Sequence, residues 1–226
     1  MNKPLLPTET EPEVCGKCKT AGRPKASELE ARNQNLIQTA AKLFLRHGYG
    51  NVSLETIARE AHVAVRTIYV KFGGKPGLLR AAIDANRERF YSISDVENDR
   101  RPLRESVTDF ARHFFDLITT PEAVRLKRMV IAESESDPEM VDAFLASAPN
   151  KTRDMLLNFF RRPDNLAQLR PGLPMEQLPN FLLNCITGDQ FTHLVDPNSE
   201  RIDGFRRTLP DRLELFFHAV LLHPDQ

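Results

Sequence analysis

Apolar side chains recur at three- and four-residue intervals along most of the chain, and no stretch alternates apolar and polar residues long enough to make a strand. The first run follows Ala26, with Leu36, Ile37, Ala40, Ala41 and Phe44 on one face and His47-Gly48 as a stop. Ser53 offers an N-cap to a short helix over residues 54–61, with Glu55 in its positively polarised first turn. A second short helix spans 65–72, Gly73-Gly74 breaks it, and Pro76 opens a fourth helix carrying Leu78, Leu79, Ala82 and Ile83. Farther on, Pro102 starts a run with Leu103, Val107, Phe110 and Phe114, and Pro121 starts one with Val124, Met129 and Val130. Residues 138–160 hold Val141, Phe144, Leu145, Met155, Leu156 and Phe159, with Pro149 as an interruption or kink. Three prolines and Gly172 predict a loop over 161–174, and two final helices are expected over 175–195 and 203–222. The expected fold class is all-α, with no internal repeat.

Composition narrows this picture. At 226 residues, with 41% hydrophobic and 27% charged side chains, the chain can bury a core without disulfides or metals. Residues 1–22 mix Pro4, Pro7, Pro12, Gly16 and Gly22 with few large apolar side chains, so a disordered arm is expected there. That arm has no apolar signal-peptide core, and no segment approaches the ~18 apolar residues of a membrane span, so a cytoplasmic address without membrane contact follows. Cysteines only at 15, 18 and 185 are no disulfide framework and suit a reducing compartment. The formal net charge of zero hides a segregation. Residues 23–80 carry ten bases against four acids, and since residues 1–22 balance, residues 81–226 are net acidic by the same margin. A basic block beside an acidic one is the footprint of a nucleic-acid module joined to a domain that avoids phosphate, although an uneven solvated surface gives the same count.

The two short helices supply the motif that would use such a block. A helix-turn-helix reads DNA when its helices pack steeply enough to present the second one to the major groove. Ala58 is small where the helices approach, Val63 plugs the turn and Ile68 returns to the shared core. The turn position is His62, one of the few residue types besides glycine enriched at positive φ. Ala64 stands where an N-cap Ser or Thr is usual and should forfeit ~1 kcal/mol.

Gly22-Arg-Pro-Lys25, Ala40-Ala-Lys-Leu-Phe44, Gly48-Tyr49, Ser53-Leu-Glu-Thr-Ile-Ala58 and Thr67-Ile-Tyr-Val-Lys-Phe72, followed by Lys75 and Leu78-Leu79, closely resemble the DNA-binding domain of the TetR family of transcriptional regulators. The family usually has a second aromatic where this chain has Val70, and Ser where it has Ala64. Arg128-Met-Val-Ile-Ala-Glu133 and Pro138 also look like one C-terminal subtype of the family, less specifically. The resemblance implies a three-helix helix-turn-helix domain over 23–80 and a helical bundle for effector binding and dimerisation over 81–226. It further implies a homodimer that binds palindromic double-stranded operator DNA and answers to a small-molecule effector, most simply as a repressor. An activator or an effector-independent DNA binder stays open, as does a small-molecule-binding or enzymatic helical protein with a vestigial helix-turn-helix.

Residue roles follow from chemistry and resemblance together. Thr67 and Tyr69 offer hydroxyls, Lys71 and Lys75 offer charge and Ser53 a helix N-terminus, all suited to phosphate. Base reading falls to the start of the second helix, Val65 and Arg66, with Thr67 and Tyr69 within reach, and Arg66 is the best specificity candidate. Arg23 and Lys25 suit a basic arm in a minor groove, or simply a solvated tail.

Other signals are thinner. Cys15 and Cys18 have the spacing of half a zinc site with no second pair, and the histidines match no metal or triad spacing, so no metal, cofactor or enzymatic activity is expected. Phe110, His113, Phe114, Phe144, Phe159, Phe181, Asn184 and Cys185 are candidates to line an effector pocket, although for each one ordinary packing is the simpler role. Leu182, Phe191, Leu213 and Phe217 are candidates for a dimer interface on the last two helices, against the alternative that they face their own core.

Overall fold

The computed structural model describes residues 26–91, 96–188, 190–196 and 199–223; Cys15, Cys18, Arg23 and Lys25 lie outside them. The N-terminal helices are α1 (Ala26–His47), α2 (Leu54–Glu60), α3 (Val65–Phe72) and α4 (Lys75–Tyr91). Behind them come α5 (Leu103–Ile118), α6 (Pro121–Glu133), α7 (Pro138–Ser147), α8 (Pro149–Arg161) and α9 (Pro163–Leu166). A 3-10 turn (Met175–Gln177) then leads into α10 (Leu178–Thr187), α11 (Gln190–Val195), α12 (Ser199–Arg207) and α13 (Leu209–Val220). Extended pairing among the described residues is limited to an isolated antiparallel bridge between Leu169 and Leu221. None of the described helices is long and apolar enough to cross a membrane.

Pro149 is an interruption, the first of the two roles expected of it, because Ala148 between α7 and α8 leaves helical geometry at φ −120°, ψ −67°. The rest of the punctuation expected from the sequence operates with two differences. The expected loop over 161–174 contains α9, which starts at Pro163 in the first-turn position that tolerates a missing N–H. Each of the two final helices is divided. Gly188, at φ 56°, ends α10, and Pro210 in the first turn of α13 separates it from α12.

Two cores organise these helices. One joins Leu36, Ala40, Phe44, Tyr49, Ile57, Ala58, Ile68, Leu78, Leu79 and Ile83 from α1 to α4, and is closed by Met129 and Val130 of α6 and Met140 of α7. The other is built from α5, α8, α10 and α13, with Phe110, Phe115, Phe159, Phe160, Phe216 and Phe217 fully buried. Helix α4 packs on α1 and α3 on one side and on α7 on the other, so it belongs to both halves. Three of the four dimer-interface candidates are corrected here. Leu182, Leu213 and Phe217 are 0%, 2% and 1% exposed, because α10 and α13 turn these faces toward each other and toward α5. Phe191 on α11 is solvent-facing at 75%.

Candidate nucleic-acid interface

The interface is assembled from local rules. Ser53 caps α2, its Oγ accepting the Thr56 backbone N–H at 3.2 Å. The Glu55 carboxyl is held below the usual carboxylate range by its own backbone N–H and by the Ser53 hydroxyl. Leu54, Ile57 and Ala58 bury the inner face of α2. The chain then turns through Ala61 and His62, and His62 is the one non-glycine residue at positive φ (55°) among the described residues. The Val63 N–H closes the turn on the Ala58 carbonyl at 2.9 Å. Ala64 takes the extended N-cap conformation of α3 with no side-chain bond, so the first turn of α3 lacks the reinforcement that α2 has.

On α3, Ile68 is the inward anchor at 0% exposure, and Val65 and Phe72 pack partly against the same core. Arg66, Tyr69, Val70 and Lys71 are exposed, and Thr67 is half-buried. Arg66 and Val70 are four residues apart and therefore neighbours on the face opposite Ile68. Lys71 is tied back to α1, its Nζ donating to Asn33 Oδ1 at 2.5 Å. Gly73 ends the helix in the left-handed region at φ 74°. Gly77 permits the close return of α4, since a Cβ there would sit 1.6 Å from the Phe72 carbonyl oxygen. Lys75 opens α4 half-buried, with its Nζ 4.3 Å from the centre of the Tyr49 ring. Burial lowers the Lys75 pKa, while the charges of Asp137 and Glu133 oppose that shift. Tyr49 is raised by burial and then by Asp137, Glu139 and Glu133. An acidic corner where α6 meets α7 thus lies beside the α1–α2 turn.

The resulting surface is a short helix with an apolar back and a cationic, hydroxyl-bearing front. Two family models match the chain: residues 36–82 match the bacterial regulatory proteins of the tetR family, and residues 105–175 match the C-terminal domain of AefR-like transcriptional repressors. The chain is also 36% identical over 172 residues, 74% of its own length and 80% of the other's, to the HTH-type transcriptional repressor ComR of Escherichia coli. The chain belongs to the TetR family. It is a TetR-family transcriptional regulator, with an N-terminal helix-turn-helix domain and a helical C-terminal domain. Among solved structures it is similar to the flavonoid-responsive regulator FrrA, at 26% identity and a TM-score of 0.65, covering 85% of this chain and 98% of that one. It also shares the fold of NalD of Pseudomonas aeruginosa, the secondary repressor of the MexAB-OprM multidrug efflux pump, at 22% identity and a TM-score of 0.63, covering 86% and 98%.

In this TetR-family chain Val65, Arg66, Thr67, Tyr69 and Lys71 share α3 and Lys75 follows directly on α4. Ser53 stands exposed at the head of α2 with its hydroxyl engaged in the cap. Val70 was not singled out by sequence reasoning, yet at 74% it is the most exposed large hydrophobic residue on α3. The departure from an aromatic at that position was its only marker. The pocket candidates come together only in part. Phe110, Phe114 and Phe159 belong to the second core, Phe110 and Phe114 stacking with centroids 5.3 Å apart. Phe181 and Cys185 lie at its margin, while His113 and Asn184 are exposed. Phe144 packs instead against the N-terminal core, because α7 leans on α4. Burial raises the Cys185 thiol, with Arg212 pulling it back.

Proposed function

We propose that this chain is a homodimeric, ligand-responsive repressor that places one α3 of each subunit in successive major grooves of a palindromic operator. The outward face of α3 carries the reading: Arg66, Tyr69, Val70 and Lys71 are exposed while Ile68 is fully buried behind them. Arg66 suits guanine O6 and N7, Val70 suits a thymine methyl, and Thr67, Tyr69, Lys71 and Lys75 suit the flanking phosphates. One short helix reads only a few base pairs, so specific affinity calls for a second half-site and a symmetric partner. Beyond Phe191, exposed apolar side chains on the closing helices include Phe181 of α10, Val195 of α11, Leu215 and Ala219 of α13 and Leu222 just past it, and Phe191, Phe181, Leu215, Ala219 and Leu222 form the proposed dimer face in place of Leu182, Leu213 and Phe217. The phenylalanine-rich core of α5, α8, α10 and α13 supports a small, largely apolar effector. The test is retention of duplex fragments from the organism's own genome, followed by titration of the strongest fragment at several salt concentrations. Log affinity should fall linearly with log salt. A flat line, or no retained fragment, removes the reading.

A further inference from the structure

Glu133, the last residue of α6, reaches the turn between α1 and α2. Its Oε1 accepts the Gly50 backbone N–H at 3.0 Å across 83 positions of sequence. Its Oε2 accepts from Ser136 Oγ at 3.2 Å, and the same hydroxyl lies 3.1 Å from the Glu133 carbonyl, so the carboxylate is oriented from its own side before it meets the turn. Gly50 is not in the left-handed region, so its backbone conformation does not require glycine. A Cβ at position 50 would stand 2.9 Å from Glu133 Oε1 and 3.2 Å from Oε2, so the carboxylate end of that flexible side chain would have to move off the Gly50 amide to make room. With no side chain at position 50, the carboxylate from the other half of the molecule takes this position on the amide unhindered.

The turn is a point of leverage. Asn51 fastens it to the end of α1, its Nδ2 donating to the His47 carbonyl at 3.1 Å, and two residues later Ser53 caps α2. Helices α2 and α3 share the Ile57, Ala58 and Ile68 packing, so a displacement at Gly50 carries α3 with it. A second link between the halves, Lys151 of α8 to Asp84 of α4 at 2.7 Å, acts on the middle of α4 instead. A hydrogen bond to an ionised acceptor is the stronger kind and resists being pulled apart.

We propose that the Glu133–Gly50 hydrogen bond is a positioning contact through which α6 sets the angle of the helix-turn-helix, and with it the half-site separation that the dimer accepts. This rests on the operator-binding reading above. The experiment uses the full chain and an operator selected by the wild type from random duplexes, with its half-sites then moved one base pair closer or farther apart. Glu133→Ala, Glu133→Gln, Gly50→Ala and the Gly50→Ala/Glu133→Ala pair are compared, each checked for cooperative melting. Glu133→Ala and Gly50→Ala should each lose about tenfold in discrimination between the best and the displaced spacing. Glu133→Gln should keep it, since its amide oxygen still accepts the N–H. The double variant should match the singles, because the three nearest atoms to the added Cβ all belong to Glu133. Where one single variant fails to fold, the other decides. Wild-type spacing preference in folded single variants overturns the inference, as does additive loss in the double variant or a Glu133→Gln as impaired as Glu133→Ala. A wild type that retains no duplex removes the operator reading and this inference together, whereas a wild type with a clear spacing optimum that the variants share removes the inference alone.

Discussion

The Lys75 ammonium stands 4.3 Å from the centre of the Tyr49 ring, so a cation suited to phosphate is also part of the packing between α4 and the α1–α2 turn. Lys75→Ala should therefore do two things. It should weaken specific and non-specific duplexes by similar factors and reduce the salt slope by about one. It should also lower stability by roughly 0.5–2 kcal/mol, the range for a cation on an aromatic face. Lys75→Arg keeps both charge and stacking and should melt close to wild type. Binding titrations and thermal melts on the same preparations check the pair of effects.

Arg66 and Val70 share the solvent face of α3, and Arg66→Ala should cost about 1–3 kcal/mol on the operator and far less on random duplex. Val70→Ala should cost less than Arg66→Ala and should relax preference at one thymine position. Competition binding against operators with single base changes separates the two. Equal losses for both variants on specific and random DNA would take them out of the reading set.

The helix-turn-helix carries two local imperfections that are open to repair. His62 holds φ 55°, and glycine there removes a Cβ clash of about 1–2 kcal/mol while loosening the unfolded chain. Ala64 takes the N-cap conformation of α3 without a side-chain bond, and Ser would reach the Thr67 N–H as Ser53 reaches Thr56. Ala64→Ser should add about 1 kcal/mol, and His62→Gly a smaller gain, in denaturant unfolding. Gly77→Ala is the contrasting variant: with a Cβ 1.6 Å from the Phe72 oxygen, it should be strongly destabilising.

Lys127 of α6 is largely buried, donates to the Ile118 carbonyl at 3.2 Å, and is pushed by burial from 10.5 down to about 8. The folded state thus sheds this proton more readily than the unfolded state. The cost of keeping Lys127 charged is fully present below about pH 8 and is relieved as pH rises from about 8 toward 10.5. Lys127→Met should raise the melting temperature at neutral pH and flatten the gain in stability over that window. A pH series of melts on both proteins reads it directly.

For the proposed dimer, Leu215→Glu with Ala219→Glu should give a folded monomer that loses operator binding, since both side chains are exposed on α13. Phe217→Ala tests the opposite position. At 1% exposure, with the Arg104 guanidinium 4.6 Å from its ring centre, it should cost about 3–5 kcal/mol through the cavity it leaves. Sedimentation and melting distinguish an interface from a core.

The sequence by itself determined what neighbouring residues decide. The all-α class, the Ser53 cap, the positive φ at His62, the uncapped start of α3 and its exact span from Val65 to Phe72 were all legible, because caps, turns and helical periodicity depend on groups a few positions apart. The charge segregation and the run of family motifs were legible for the same reason. Tertiary structure decided which apolar stripe faces inward. Leu182, Leu213 and Phe217 and the exposed Leu215 lie on helices rich in apolar residues on more than one side, and nothing local marks the side that meets the chain's own core. It also sent Phe144 to the N-terminal core rather than to the core of α5, α8, α10 and α13. Gly188 and Pro210 were local signals for the breaks in the last two helices, outweighed in the sequence by continuous apolar periodicity across them. The Glu133–Gly50 bond was beyond any local rule, since two residues 83 positions apart meet only after α6 has packed on α1 and the missing Cβ has left room for a carboxylate.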